Sequence, residues 1–179
     1  DIFNMLSHFM GTNFLVQFIL QPILIFGVIF HFVMGFYLEI ENRKAKKYVY
    51  HKEMGGANST WMSRNMIWSG LVVLSFLVLH FIDFWIPEMN YKYVEFMPED
   101  PNRYYEELVH RFENLWRVIF YCLSFVLLAL HLLHGFSSAL KSMGTNKSYA
   151  SSVKNLSYIY SIGIPLGFCF IAIFHHLAH

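Results

Sequence analysis

Three histidines, His31, His80 and His131, lie inside long apolar stretches of the chain, where an ionisable side chain is costly and is a functional hypothesis by default, the plain alternative being a neutral imidazole hydrogen-bonded to a neighbouring helix. Imidazole at such depth offers two chemistries, proton relay and metal ligation. Helical rise sorts the three by level. His31 precedes Glu39 by eight residues and so lies about 12 Å from that charged boundary. His131 precedes Lys141 by ten residues, about 15 Å from the boundary on the same side. His80 follows Arg64 by sixteen residues, about 24 Å away, which sets it roughly 10 Å further out than the other two. Two imidazoles at one level on separate helices suit the two axial positions of a haem iron. Each is also followed four residues later by glycine, in HFVMG and HLLHG, which bares a patch one turn along the same face. A flat macrocycle held edge-on between helices needs such patches; close helix packing through small residues uses them too.

His134, three residues from His131 and about 60° around the helix, competes with it as a ligand. Only His131 repeats the H-x-x-x-G pattern, which favours His131. His134 then sits one turn nearer the basic side, placed for a haem propionate or for simple packing. His80 finds no partner at its own level in the central parts of the other spans. Its candidates are His175, His176 and His179 at the end of the last span, or a histidine on a helix upstream of Asp1. His8, His51 and His110 fall in connecting or terminal segments and are expected to be solvated. The C-terminal HHLAH, taken with His131-x-x-His134, has the form of the histidine boxes of membrane di-iron desaturases. Those two clusters fall on opposite sides of the membrane, whereas one di-iron site needs its ligands together, so the tail is expected to be incidental.

The elements that position these residues follow from composition. Of 179 residues, 56% are hydrophobic, 19% aromatic and 14% charged, against roughly 25% charged in soluble domains. That excludes a soluble globular enzyme and a nucleic-acid-binding module. Apolar spans are expected at about 14–38, 65–86, 115–140 and 156–178, each close to or above the roughly 20 residues of a bilayer crossing. Backbone groups in lipid must be satisfied internally, so each span is a helix, and Pro22 and Pro165 are tolerated kinks. The fold class expected is an all-α transmembrane helix bundle, a single domain over 1–179.

Charge orients it. Arg43, Lys44, Lys46, Lys47, Lys52 and Arg64 fill the first connection and Lys141, Lys147 and Lys154 the last, so nine of 13 basic residues fall on one side, cytoplasmic by the positive-inside rule. The connection between them, about 87–113, is acidic and external, with a short helix expected near Arg103–Phe112. Tyr37, Trp61, Trp68, Trp85 and Trp116 fit interfacial belts. Asp1 then faces outward, and DIFNMLSHFMG lacks a basic n-region, so a further span upstream, five in all, is expected. Cys122 and Cys169 show neither disulfide nor zinc spacing and read as small core or lipid-facing residues.

The runs FNMLSHFMGTNFLVQF, HFVMGFYLEIENRKA, GGANSTWMSRNM, HFIDFW and LHLLHGFSSALKSMG resemble the cytochrome b membrane anchor of type B succinate:quinone oxidoreductases, in the form found in Bacteroidota-like bacteria. The resemblance covers nearly the whole chain, and ANSTWMSRNM and HGFSSALKSMG are its most specific parts. It implies a succinate dehydrogenase subunit of five helices with two b-type haems and a quinone site. It also implies partners on the cytoplasmic side of a bacterial inner membrane: a flavoprotein with covalent FAD and an iron–sulfur protein with three clusters. By resemblance, His31 and His131 match the second- and fourth-helix ligands of the haem nearer the iron–sulfur subunit. His80 matches the third-helix ligand of the outer haem, whose other ligand belongs to the family's first helix. This stretch thus supplies three of four ligands; the fourth is expected upstream, or from His175 or His176.

The function so implied is electron transfer from succinate oxidation, through the haems, to a membrane quinone, menaquinone by expectation. Bis-histidine ligation leaves no open iron position, so the metal carries electrons and binds no substrate. Trp61, Ser63, Arg64, His134, Ser138 and Lys141 are expected where inner-side propionates and the partner subunit are met; Arg64 and Lys141 read equally well as ordinary interfacial cations. Asp83, one turn beyond His80, is a candidate near quinone protonation, with a solvated helix-end acid the plainer expectation. Two other classes accommodate the histidines. One is a proton or metal transporter relaying through His31, His80 and His131; the other is a non-redox membrane anchor.

Overall fold

A computed structural model describes residues 2–46, 66–144 and 147–178, and among these the chain is helical with no strand. Four helices are long and apolar enough to cross a membrane: Val16–Lys44, Met66–Val94, Leu115–Leu140 and Ser151–Ala178. The chain divides into two compact units, Asp1–Ser59 with Pro98–Leu108, and Thr60–Met97 with Val109–His179.

In the first unit, α1 (Ile2–Thr12) stops at Asn13. The Asn13 Oδ1 accepts hydrogen bonds from the N–H groups of Leu15 at 3.0 Å and Val16 at 3.3 Å, capping the helix that follows. That helix winds through a widened turn, Val16–Leu20, where the Gln21 N–H bonds back to the Val16 carbonyl, and continues as α2 (Gln21–Lys46). The turn lies just ahead of Pro22. A proline ring clashes with the carbonyl four residues back, here Phe18, and the wider turn takes up the clash so that the helix runs on. Most apolar side chains of α2 are exposed, Ile23, Leu24, Phe26, Ile29 and Phe30 among them, as expected of a helix that lipid or further protein covers.

The same unit holds the start of α5 (Arg103–Phe112). Asn4 of α1 is buried against it: its Nδ2 donates to the Asn102 carbonyl at 2.8 Å and its Oδ1 accepts from the Tyr105 N–H at 2.7 Å. One side chain thus caps a helix far along the chain. His8 packs beside it, its ring 6.4 Å from that of Tyr104 and its Nε2 3.9 Å from a Glu99 carboxylate oxygen. The expectation of a solvated His8 is corrected, because α1 is tied to the 98–108 segment.

In the second unit, α3 (Met66–His80) passes through another widened turn, Phe81–Trp85, into α4 (Ile86–Met89) and on through Asn90–Val94. Pro87 stands in the same relation to this turn as Pro22 does to the first. The helix therefore runs unbroken to Val94, past the expected end near residue 86, and Phe96, at φ 50°, turns the chain out of it. Pro87 is absorbed by a change of helical pitch.

Asn114 caps α6 (Leu115–Ser142) as Asn13 caps its own helix, accepting from the N–H groups of Trp116 at 3.0 Å and Arg117 at 3.3 Å. Gly144, at φ 64°, follows the end of α6 in the left-handed conformation that glycine adopts without strain. α6 packs against α3 and against α7 (Lys147–Ala178). On α7 the face toward α6 is small: Ser161, Pro165 and Ala172 are fully buried, at spacings that keep them on one stripe. Ser124 of α6 is buried with them. Small residues let two backbones approach closely where lipid gives no hydrophobic drive between helices. Cys169 donates its thiol hydrogen to the Cys122 carbonyl at 3.7 Å, so both cysteines lie in this interface. Ala172→Phe is expected to force the pair apart and cost about 1–3 kcal/mol, read as a lower unfolding midpoint in detergent.

Candidate functional site

His131 lies in the second half of α6, half-buried, with its ring against α3. A methyl group added at Gly70 would meet His131 Cε1 at 3.7 Å, so glycine there lets the imidazole lie close over the α3 backbone. Ser69 Oγ stands 3.2 Å from His131 Nδ1. The Ser69 hydroxyl donates to the Met66 carbonyl at 2.9 Å, and a hydroxyl has one proton to give. With that proton so used, the same oxygen can accept from His131, which suits the tautomer with hydrogen on Nδ1 and, in a neutral ring, the lone pair on Nε2. Metal-bound histidines use this arrangement, one ring nitrogen held by an oxygen and the other ligating.

These contacts also fix a level. Ser69 and Gly70 stand opposite His131, and His80 follows ten residues after Gly70, about 15 Å further along the helix. The roughly 10 Å reckoned from charged boundaries is too short, because long basic side chains reach their boundary from different depths. His80 is exposed, between the rings of Phe76 at 5.8 Å and Phe84 at 5.1 Å on its own helix. His134 is half-buried, its Nε2 3.3 Å from Ser138 Oγ one turn on. Two of the inner-side candidates are thus hydrogen-bonded to each other. His31 belongs to the first unit, exposed on α2. Trp61, Ser63, Arg64 and the side chain of Lys141 lie outside the described residues.

The two glycines of the H-x-x-x-G pattern differ. A methyl group on Gly35 would meet nothing within 4 Å, whereas one on Gly135 would touch Met66 Cε at 3.9 Å. Beyond His131, then, the bared patch is used for packing against α3.

The chain matches no protein-family model, no curated protein and no solved structure. What it can hold is therefore argued from its own side chains. An axial ligand of haem iron must be a neutral imidazole with its lone pair on the coordinating nitrogen, beside neighbours small enough for a flat ring. His131, with Nδ1 against Ser69, can meet those demands; His31 is exposed, and the space beside Gly35 on its helix is open.

A second cluster was not foreseen. Asp83 was expected foremost to be a solvated helix-end acid, and the structure corrects this: its side chain is 1% exposed. Arg117 Nη2 lies 3.1 Å from Asp83 Oδ1, and Tyr121 donates its hydroxyl hydrogen to Asp83 Oδ2 at 3.1 Å. Asp83 sits within the widened turn of the second span, buried three residues after the exposed His80. The signal available was that Asp83 and Arg117 are charges within apolar spans, each near the outer end, and such charges pair. Nothing local pointed to Tyr121.

The C-terminal histidines are also corrected. His175 is buried, edge-on to the Phe174 ring at 5.3 Å. His176 Nδ1–H donates to the Phe112 carbonyl at 2.9 Å. The tail is part of the packing, tying the end of α7 to the end of α5.

Proposed function

We propose that the chain is the haem b-containing membrane anchor of a type B succinate:quinone oxidoreductase, a respiratory complex II. It carries electrons from an iron–sulfur partner to a membrane quinone. The observation that carries this reading is the contact of the His131 ring with Ser69 of the neighbouring helix, Nδ1 to Oγ at 3.2 Å, which suits the tautomer with its lone pair on Nε2. The family-like runs around His31, His80 and His131 support it.

In this reading His31 and His131 hold the inner haem and His80 the outer one. The outer haem's second ligand comes from a further helix upstream or from His175 or His176; with Nδ1–H on Phe112, His176 also carries its lone pair on Nε2. Bound b-type haem would supply reversible one-electron transfer. The chain's own work is to orient the imidazoles; beside His80, Phe76 packs with Tyr121 and Phe125 across α3 and α6. Menaquinone is reduced in the outer half, where Asp83 with Tyr121 is the protonatable group at hand. The flavoprotein with FAD and the iron–sulfur subunit dock on the basic side, at the cytoplasmic face of a bacterial inner membrane.

A dithionite-reduced minus oxidised spectrum of the purified complex, with haem quantitation, tests this. The expected result is a b-type α band at about two haems per chain, reducible by succinate. A protein without a Soret band is a transporter in class; one whose haem succinate does not reduce is a non-redox anchor.

A further inference from the structure

We infer that Ser69 is a positioning residue for the inner haem, setting the tautomer of His131 from the neighbouring helix and thereby the strength of that ligand. The inference rests on the reading of His131 as an iron ligand. It uses three contacts: Ser69 Oγ to His131 Nδ1 at 3.2 Å, the Ser69 hydroxyl to the Met66 carbonyl at 2.9 Å, and the close approach of His131 Cε1 to Gly70.

Each contact has its own consequence. The bond to Met66 commits the only hydroxyl proton of Ser69, so the oxygen must accept from the ring. A hydroxyl that is already donating is a better acceptor, because chained hydrogen bonds polarise one another. An imidazole that donates from Nδ1 becomes more basic at Nε2, which strengthens its bond to a metal. The stronger ligand favours ferric over ferrous iron and lowers the potential. Gly70 lets the ring lie close over the α3 backbone, within reach of the Ser69 oxygen. His134, one turn away, meets Ser138 of its own helix instead, and the same device is not built for it from α3.

The test compares the intact wild-type complex with Ser69→Ala and Ser69→Thr by haem quantitation, potentiometric titration of the α band and low-temperature EPR of the ferric haems. Ser69→Ala is expected to weaken inner-haem retention by about 10- to 100-fold. It should also raise that haem's midpoint potential by about 59 mV, the equivalent of a tenfold change in a one-electron equilibrium. The inner haem's low-spin EPR signal moves while the outer haem's does not, and Ser69→Thr, which keeps the oxygen, restores both readings. Should Ser69→Ala not assemble, Ser69→Cys, similar in size and a weak acceptor, must shift the potential in the same direction. A wild type with two haems whose Ser69→Ala and Ser69→Cys variants are indistinguishable from it in potential and EPR overturns the inference and leaves the parent reading standing. A wild type without haem overturns both.

Discussion

Replacing His131 with alanine is expected to lower the haem content of the complex from about two per chain to about one, and to reduce succinate-driven quinone reduction to background. The argument is local. In the proposed reading alanine removes an iron ligand, and the hydroxyl of Ser69 that meets it has no nitrogen to put in its place. His31→Ala should give the same loss, and the double variant no more than either alone, because two ligands of one iron fail as a unit. Additive losses would place them on different haems. His134→Ala separates the competing histidines: its ring is bonded within its own helix to Ser138, and haem content should stay near two per chain. His131→Met gives a finer reading. It keeps a ligand and raises the inner haem's potential, as methionine ligation does in other cytochromes.

How much of this was legible in the chain depends on the range of the interaction. The four spans could be read because apolar length is a property of composition, and Asn13 and Asn114 announce helix starts by chemistry confined to three residues. The second span runs on to Val94, past its expected end near 86, since the widened turn that accommodates Pro87 is a property of the whole helix. The side-by-side placing of Ser69 and His131, 62 positions apart, needed the register of α3 against α6. The packing of His176 was not legible because its partner, the Phe112 carbonyl, is backbone and carries no mark in the sequence. Asp83 and Arg117 were each visible as charges, but their pairing required the same register.

That pair yields the second large effect, and an asymmetric one. Arg117→Leu leaves Asp83, at 1% exposure, with Tyr121 as its hydrogen-bond donor; stranding a buried charge costs about 3–5 kcal/mol. Asp83→Asn is milder, near 1 kcal/mol, because the amide oxygen still accepts and Arg117, 35% exposed, can snorkel its guanidinium to the interface. Asp83→Asn combined with Arg117→Leu should recover most of what Arg117→Leu loses, since no charge is left buried. Unfolding midpoints in detergent for the three variants measure this ordering. The same set separates structure from chemistry. If the cluster only braces α3 against α6, quinone reduction follows the midpoints, and Asp83→Asn stays close to wild type. If Asp83 passes protons to the quinone, Asp83→Asn loses turnover while its midpoint and haem spectrum hold, because an amide keeps the hydrogen bonds and cannot carry the proton.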